Sequence, residues 1–202
     1  MKLKFILMTL ISFLVAFNSH ACDLRTSQTS LSKYEILNIL QTSKLRICID
    51  DETFNRYDIK DFSRKGARLM IDAAGATGLN RYDLKDLAKL GRISLGIHTG
   101  LANRFNRYDI KDFLKLNIRI QLKDTQNIFN RYDIKDFLRM GNISVAMRSS
   151  ETQFNRYDLL DFGEIISTMR TARVLLVIDD DKFNQYDIRD FQEKGIRIKY
   201  QN

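Results

Sequence analysis

Few side chains in this sequence have the types and spacing that catalysis needs. The chain holds two histidines, His20 and His98, and two cysteines, Cys22 and Cys48. It has no glycine-rich phosphate loop, no zinc-type cluster of cysteine and histidine, and no closely spaced redox pair. A nucleophilic set needs a positioned base, and a lone histidine is usually structural. The sequence therefore predicts a protein that is not an enzyme and that uses no cofactor or metal.

Carboxylates are the second candidate for chemistry. Asp58 and Asp61 lie three residues apart, and the same pair returns along the chain. Glycoside hydrolysis needs one such pair per active site. Because this pair is repeated, the sequence favours a structural role for it.

The carboxylate pair belongs to a repeated nine-residue stretch. FNRYDIKDF occurs at 54–62, 105–113 and 129–137, and variants begin at Leu79, Phe154 and Phe183. A worn copy, LSKYEILNI, begins at Leu31, so seven copies start every 23 to 29 residues. A fixed period in this range is typical of a repeat array.

Each copy has the signals of a short helix. Asn55 suits the N-cap, and Asp58 is placed to close a capping box with it. Phe54 and Ile59 are spaced as a hydrophobic staple, and Gly66 suits the left-handed residue that ends a helix. The residues that take the place of Gly66 in other copies are Gly91, Asn117, Gly141 and Gly195.

An alternating apolar run follows each predicted helix, which indicates a strand with one buried face. Helix and strand in regular alternation give a parallel sheet with right-handed crossovers. We therefore expect an α/β fold, an open right-handed solenoid of about seven helix–strand repeats of about 25 residues. The parallel sheet would form one side and the short helices the other. The runs begin at Leu45, Ala67, Ile93, Ile118, Ile143, Val174 and Ile196.

In period and in its unit of one strand and one helix, the array from Leu31 to Tyr200 resembles the leucine-rich-repeat class. The resemblance is architectural only, since the asparagine of that class is missing from its usual place after the strand. NRYDIKDF also resembles the second half of a dockerin or EF-hand unit. That alignment puts Ile47 and Ile49 at calcium-ligand positions, where apolar side chains supply no oxygen.

Two charge patterns follow from the repeats. Arg56 and Asp58 fall on opposite flanks of the helix, so Arg56 would face Asp83 and Arg81 would face Asp109. On the strands, the face away from the helices would carry a row of arginines, broken at Asn142. This row either pairs with carboxylates and helix carbonyls or binds a phosphate or carboxylate ligand. Its members are Arg46, Arg68, Arg92, Arg119, Arg173 and Arg197.

Six tyrosines recur at the second position of the predicted helices, facing away from the core. They form either a surface ridge that binds sugars or another protein, or rings that pack between repeats. They are Tyr57, Tyr82, Tyr108, Tyr132, Tyr157 and Tyr186.

The chain divides into a signal peptide (1–21), an N-terminal loop (22–30) and a single repeat domain (31–202). Lys2 and Lys4 precede a short apolar stretch and a small-residue cleavage site at Ala21. Cys22 and Cys48 are expected to form a disulfide in the exported chain. The alternative is a lipid anchor on Cys22, since Ala21-Cys22 partly resembles a lipobox.

These features predict an exported, non-enzymatic binding scaffold, periplasmic, on the outer surface or secreted. The formal net charge of +8 favours an acidic glycan or lipopolysaccharide as partner, or else a protein. No nucleic-acid motif is present, and membrane contact is expected only with lipid on Cys22. The alternatives are a self-assembling structural protein of the envelope, then an enzyme. We expect a monomer, because Arg197 and Lys199 protect the last strand from edge pairing.

Overall fold

The computed structural model describes residues 22–76, 78–99 and 105–201. The predicted signal peptide, 1–21, lies outside the described residues. Within them, no helix has the length and apolar character that crossing a membrane requires.

Within the described ranges, eight parallel strands form one sheet, and each strand lies beside the one before it in the sequence. The sheet order is therefore the chain order. The strands are β1 (Leu24–Arg25), β2 (Arg46–Ile49), β3 (Arg68–Asp72), β4 (Ile93–His98), β5 (Arg119–Lys123), β6 (Ile143–Arg148), β7 (Arg173–Ile178) and β8 (Arg197–Tyr200).

In the part of the chain that the structure describes, seven α-helices connect these strands, one between each successive pair from β1 to β8, which gives an α/β fold. A short 3-10 turn, Thr26–Gln28, follows β1. The helices are α1 (Lys33–Thr42), α2 (Arg56–Arg64), α3 (Arg81–Leu90), α4 (Arg107–Lys115), α5 (Arg131–Met140), α6 (Arg156–Thr168) and α7 (Gln185–Glu193).

The prediction that 22–30 is a loop is wrong. Leu24 pairs with Ile47 and Arg25 with Cys48, which adds a strand ahead of the seven predicted ones. The predicted disulfide is present: Cys22 is bonded to Cys48, with Cα atoms 5.8 Å apart. This bond holds the start of the described chain against β2.

A capping box begins each of these seven helices, as predicted. In α2, Asn55 Oδ1 accepts from the backbone N–H groups of Tyr57 and Asp58, at 2.9 and 3.2 Å. Asp58 Oδ2 accepts from the Asn55 N–H at 3.2 Å. Helix α1 uses Ser32 and Glu35 in the same way. Each box satisfies amides that the helix start would otherwise leave unpaired.

The left-handed residues predicted to end the helices are confirmed, except at Gly91. Gly66 has a φ of 91°, and Asn117, its substitute, has 62°. Gly91 has a φ of −175°, an extended conformation that any residue adopts. In that copy the helix runs to Leu90 and the chain passes straight into β4.

The core lies between the helices and one face of the sheet. Ile59 and Phe62 of α2 are buried there with Ile47 and Ile49 of β2. Phe54, the residue before the cap, packs edge-to-face on Phe62, with ring centroids 5.2 Å apart. This ring contact adds to the predicted staple contact between Phe54 and Ile59. Four other copies repeat this pair, namely Phe105–Phe113, Phe129–Phe137, Phe154–Phe162 and Phe183–Phe191.

The predicted charge ladder joins neighbouring helices. Arg56 lies 3.9 Å from Asp83, Arg81 lies 3.5 Å from Asp109, and three further pairs continue the row to α7. A second ladder, which was not predicted, joins a lysine of each helix from α1 to α5 to an aspartate of the next. Its rungs are Lys33–Asp61, Lys60–Asp86, Lys85–Asp112, Lys111–Asp136 and Lys135–Asp161.

The caps and the core, rather than the ladder, are expected to stabilise each repeat. Replacing Asn130 by Ala should lower the free energy of unfolding by about 1 kcal/mol, because two amides lose their acceptor. Replacing the fully buried Phe137 by Ala should lower it by about 3–5 kcal/mol. Replacing Arg131, whose side chain is 50% exposed, should cost under about 1 kcal/mol. Denaturant unfolding of the three variants measures the order, and a least stable Arg131 variant would contradict it.

Candidate functional site

The face of the sheet away from the helices, here called the open face, carries the predicted arginines. Arg46 pairs in register with Arg68, and the pairing of Leu69 with Ile93 puts Arg92 beside Arg68. These three residues form a row at the amino-terminal ends of β2, β3 and the segment that leads into β4.

The row does not continue straight, and this part of the prediction is wrong. Arg119 is in register with Ser94, two residues further along β4 than Arg92. Arg173 pairs with Ser144, and Arg197 with Leu175. The residues still share one face, because every offset is even, but the later arginines form a staircase across the sheet.

Four of the arginines border a groove of about 420 Å³ on the open face. We call it the arginine groove. Its other polar lining comes from Ser94, Asn117, Gln121 and Asn142, and Met70 forms part of its floor. Arg173 and Arg197 do not line it. The arginines concerned are Arg46, Arg68, Arg92 and Arg119.

Three of these guanidinium groups, those of Arg68, Arg92 and Arg119, make no hydrogen bond or ion pair with any residue that the structure describes. Pairing with nearby carboxylates therefore does not explain them. Neighbouring strands lie about 4.8 Å apart, and like charges opposite each other destabilise a sheet. The groove thus concentrates positive charge that the described residues leave uncompensated.

The predicted tyrosine ridge lies on the other side of the molecule, at the helix starts. Its six tyrosines are 61–71% exposed, so the alternative of packing between repeats is wrong. The Arg131 guanidinium stacks 4.9 Å from the centroid of the Tyr132 ring and donates to its hydroxyl at 2.9 Å. The hydrogen bond to Tyr57 is likewise the main cause that raises the pKa of Arg56. The preceding arginine holds four of the rings in this way, those of Tyr57, Tyr82, Tyr108 and Tyr132, and these rings still face solvent.

A group of ionisable residues at the opposite end of the strands was not predicted. Four consecutive strands, β3 to β6, end on Asp72, His98, Lys123 and Arg148. We call these four residues the carboxyl-edge cluster. His98 pairs in register with Lys123, and the offsets of Asp72 and Arg148 are even, so all four share the open face. The sequence signal was the charged last residue of each apolar run.

The cluster residues act on one another electrostatically. Burial lowers the pKa of His98, while Asp72 raises it and Lys123 lowers it. Burial and then Arg148 lower the pKa of Lys123, which Glu151 partly offsets. Arg148 lies 3.7 Å from Asp179 and 4.0 Å from Glu151. The half-buried centre of the cluster therefore has two basic groups side by side.

Hydroxyl–carboxylate bonds brace the loops at this end of the sheet. Thr99 Oγ1 donates to Asp124 Oδ1 at 3.0 Å, and Ser149 Oγ to Asp179 at 2.9 Å. Burial raises the pKa of Asp124, because its carboxyl group is almost inaccessible to solvent. These bonds link the loop after β4 to the loop after β5, and the loop after β6 to the loop after β7. Among the described residues, no group of three or more His, Cys, Asp or Glu side chains could hold a metal ion.

No family model matches this chain, and no curated protein is similar to it in sequence. Solved structures are similar at low identity. KGPDC from Streptococcus mutans is 11% identical with a TM-score of 0.35, over 80% of this chain and 77% of that one. A putative lyase/mutase from Burkholderia cenocepacia is 9% identical, with a TM-score of 0.32, over 82% and 79%. A dihydropteroate synthetase is 13% identical, with a TM-score of 0.33, over 80% and 70%.

This comparison overturns one sequence-based prediction. The neighbours include a putative lyase/mutase and a dihydropteroate synthetase, so the prediction of a non-enzymatic binding scaffold built as a solenoid is corrected. It is not carried further, and neither is its self-assembling alternative. Likeness at these TM-scores carries no argument about what this chain binds or converts.

The exposure of the tyrosine ridge gives a stability prediction. Replacing Tyr132 by Ala should lower the free energy of unfolding by under about 1 kcal/mol, because the ring is 61% exposed and its arginine contact is a surface one. Thermal or denaturant unfolding measures this, with Phe137→Ala in the same helix as the buried control. A loss as large as that of the control would show that the ring is buried in solution.

Proposed function

We propose that the protein binds an anionic ligand in the arginine groove. The observation that carries the proposal is that Arg68, Arg92 and Arg119 converge on one groove without a carboxylate partner among the described residues. Guanidinium groups bind phosphate and carboxylate through paired, charge-assisted hydrogen bonds. A bound anion would also relieve the repulsion between neighbouring arginines. The proposal concerns binding and does not require the absence of catalysis.

The ligand class is an acidic glycan or a lipopolysaccharide, which share repeated phosphate or carboxylate groups. A groove of about 420 Å³ has the size of a small-ligand site and would hold one short segment of such a chain. From there the staircase leads to Arg173 and Arg197, both exposed on the same face. A long anionic chain could contact them in turn, which a small anion could not do.

Access to the groove is part of the proposal. We propose that the sheet stays open, with β1 and β8 as its two ends. In support, the sheet order runs from β1 to β8, and no pairing between these two strands is found in the described part of the chain. On β8, Arg197, Lys199 and Tyr200 are exposed. A ligand would enter along this side.

Export and a monomeric state complete the proposal. The cystine Cys22–Cys48 supports an oxidising compartment, where such bonds persist. With both sulfurs in that bond, no thiol remains at Cys22 for a lipid anchor. The charged side chains of Arg197 and Lys199 on the end strand support a monomer.

The tyrosine ridge is a second candidate surface, for a protein or sugar partner. The six tyrosines are exposed at the same position of successive helices. This favours such a role, since tyrosine is enriched where one protein meets another.

Replacing Arg92 by Gln tests the groove. Binding of polyphosphate, of alginate and of lipopolysaccharide should each weaken about tenfold or more, because a charge-assisted contact is lost. The free energy of unfolding should stay the same or rise by up to about 1 kcal/mol, because repulsion from Arg68 is relieved. Calorimetric titration and denaturant unfolding measure the two effects.

Arg139→Gln is the matched control, since Arg139 is an exposed helix residue paired with Asp136 and its loss changes the net charge equally. Its ligand affinity should stay close to that of the parent. Equal losses in both variants would mean that only the net charge attracts the polyanion, and the groove proposal would fail. Comparison of the intact and dephosphorylated lipopolysaccharide separates phosphate from sugar carboxylate as the recognised group.

A further inference from the structure

The carboxyl-edge cluster lies at the end of the sheet where parallel α/β proteins bind ligands. In α/β barrels and in doubly wound sheets, ligands bind at the carboxyl ends of the parallel strands, because the connecting loops supply side chains there. Asp72, His98, Lys123 and Arg148 occupy this position on four neighbouring strands. The arginine groove is at the opposite ends of the strands, so the two sites are separate.

Register places two basic side chains next to each other in the cluster. His98 and Lys123 are paired directly across β4 and β5, and both point to the open face. Side chains opposite each other in a sheet have Cβ atoms about 5 Å apart. A group that accepts hydrogen bonds from both residues would fit between their tips. Tetrahedral oxyanions have that chemistry.

Acidic and basic side chains surround the pair formed by His98 and Lys123. Of the two acidic partners of Arg148, Asp179 follows β7, whereas Glu151 follows β6 and also acts on Lys123. Asp72 is on the other flank of His98, on β3. The two groups at the centre, His98 and Lys123, are therefore basic, and carboxylates lie around them.

We infer that the carboxyl-edge cluster is a second ligand site, which takes a small molecule bearing a phosphate or other oxyanion group. Lys123 binds the anionic group through its ammonium, and Arg148 adds positive potential from the next strand. His98 donates a hydrogen bond to the same group, and it does so best as an imidazolium. Asp72 stabilises that protonated form.

Binding of the anion and protonation of His98 are coupled in this account. Burial and Lys123 keep the pKa of His98 low in the empty protein, so the imidazole is neutral at pH 7. A bound oxyanion favours the charged imidazole and raises its pKa. The groups that face His98 from neighbouring strands are Asp72 and Lys123, and neither reverses this sign. Affinity for the anion should therefore increase as the pH falls through the His98 titration.

The test is an NMR titration of the imidazoles in the full chain, with sulfate as the probe. Sulfate stands in for a phosphate dianion and does not itself titrate in this pH range. His98 is the one histidine after the predicted cleavage site at Ala21, and the loss of its resonance in His98→Gln confirms the assignment. Sulfate should strengthen proton binding at His98 about tenfold, which is about one pKa unit.

Four variants locate the effect. Lys123→Gln should abolish the sulfate response of His98, while Lys123→Arg, which keeps the charge, should retain it. Lys115→Gln, at an exposed position on α4, should behave like the parent. The double variant Arg92→Gln/Arg119→Gln should retain the response, since the arginine groove is a different site. The same double variant should lose polyanion binding, which tests the proposed function. The two proposals can therefore fail independently of each other.

Two results would overturn the inference. In the parent, an unchanged His98 titration in saturating sulfate would show that no oxyanion binds beside it. The sulfate response of the His98 titration could also survive in Lys123→Gln and disappear in Arg92→Gln/Arg119→Gln. That result would assign all sulfate binding to the arginine groove.

Discussion

The capping box at each helix start is the constraint on which the rest of this structure depends. One asparagine and one aspartate, three residues apart, satisfy the free amides of the first turn and set where the helix begins. The phenylalanine before the cap is thereby brought onto the phenylalanine of the second turn. Each helix then covers one face of its strand, and the arginine after the asparagine reaches the next helix. Repetition of this local arrangement builds the eight-stranded sheet.

Because the helices cover one face only, the other face can carry residues that the core does not need. Strand alternation places Arg68, Arg92 and Arg119 there, at the amino-terminal ends. The same alternation places His98 and Lys123 there, at the carboxyl ends. Hydrogen bonds from Thr99 and Ser149 to the next loop hold the carboxyl ends in place. The fold thus separates the stabilising contacts from the charged groups that remain available to ligands.

Much of this fold could be predicted from the sequence, because its signals are local and repeated. Asn55, Asp58 and Gly66 mark one helix, and the same letters mark the others. The register of each strand against the next could not be predicted, because it depends on how the helix before the strand ends. Gly91 continues in an extended conformation, unlike Gly66, and Arg119 lies two residues out of line with Arg92. Strand β1 has only two residues and no alternating pattern. His98 and Lys123 are 25 residues apart, so only the sheet shows that they are neighbours.

We propose that the uncompensated arginines on the open face form an anion site. A crystal structure of the protein with selenate tests this, because the anomalous scattering of selenium locates each bound anion. We expect a selenate between the guanidinium groups of Arg92 and Arg119, with oxygens about 2.7–2.9 Å from their nitrogens. Anomalous peaks only beside exposed helix lysines, with the groove empty, would contradict the claim.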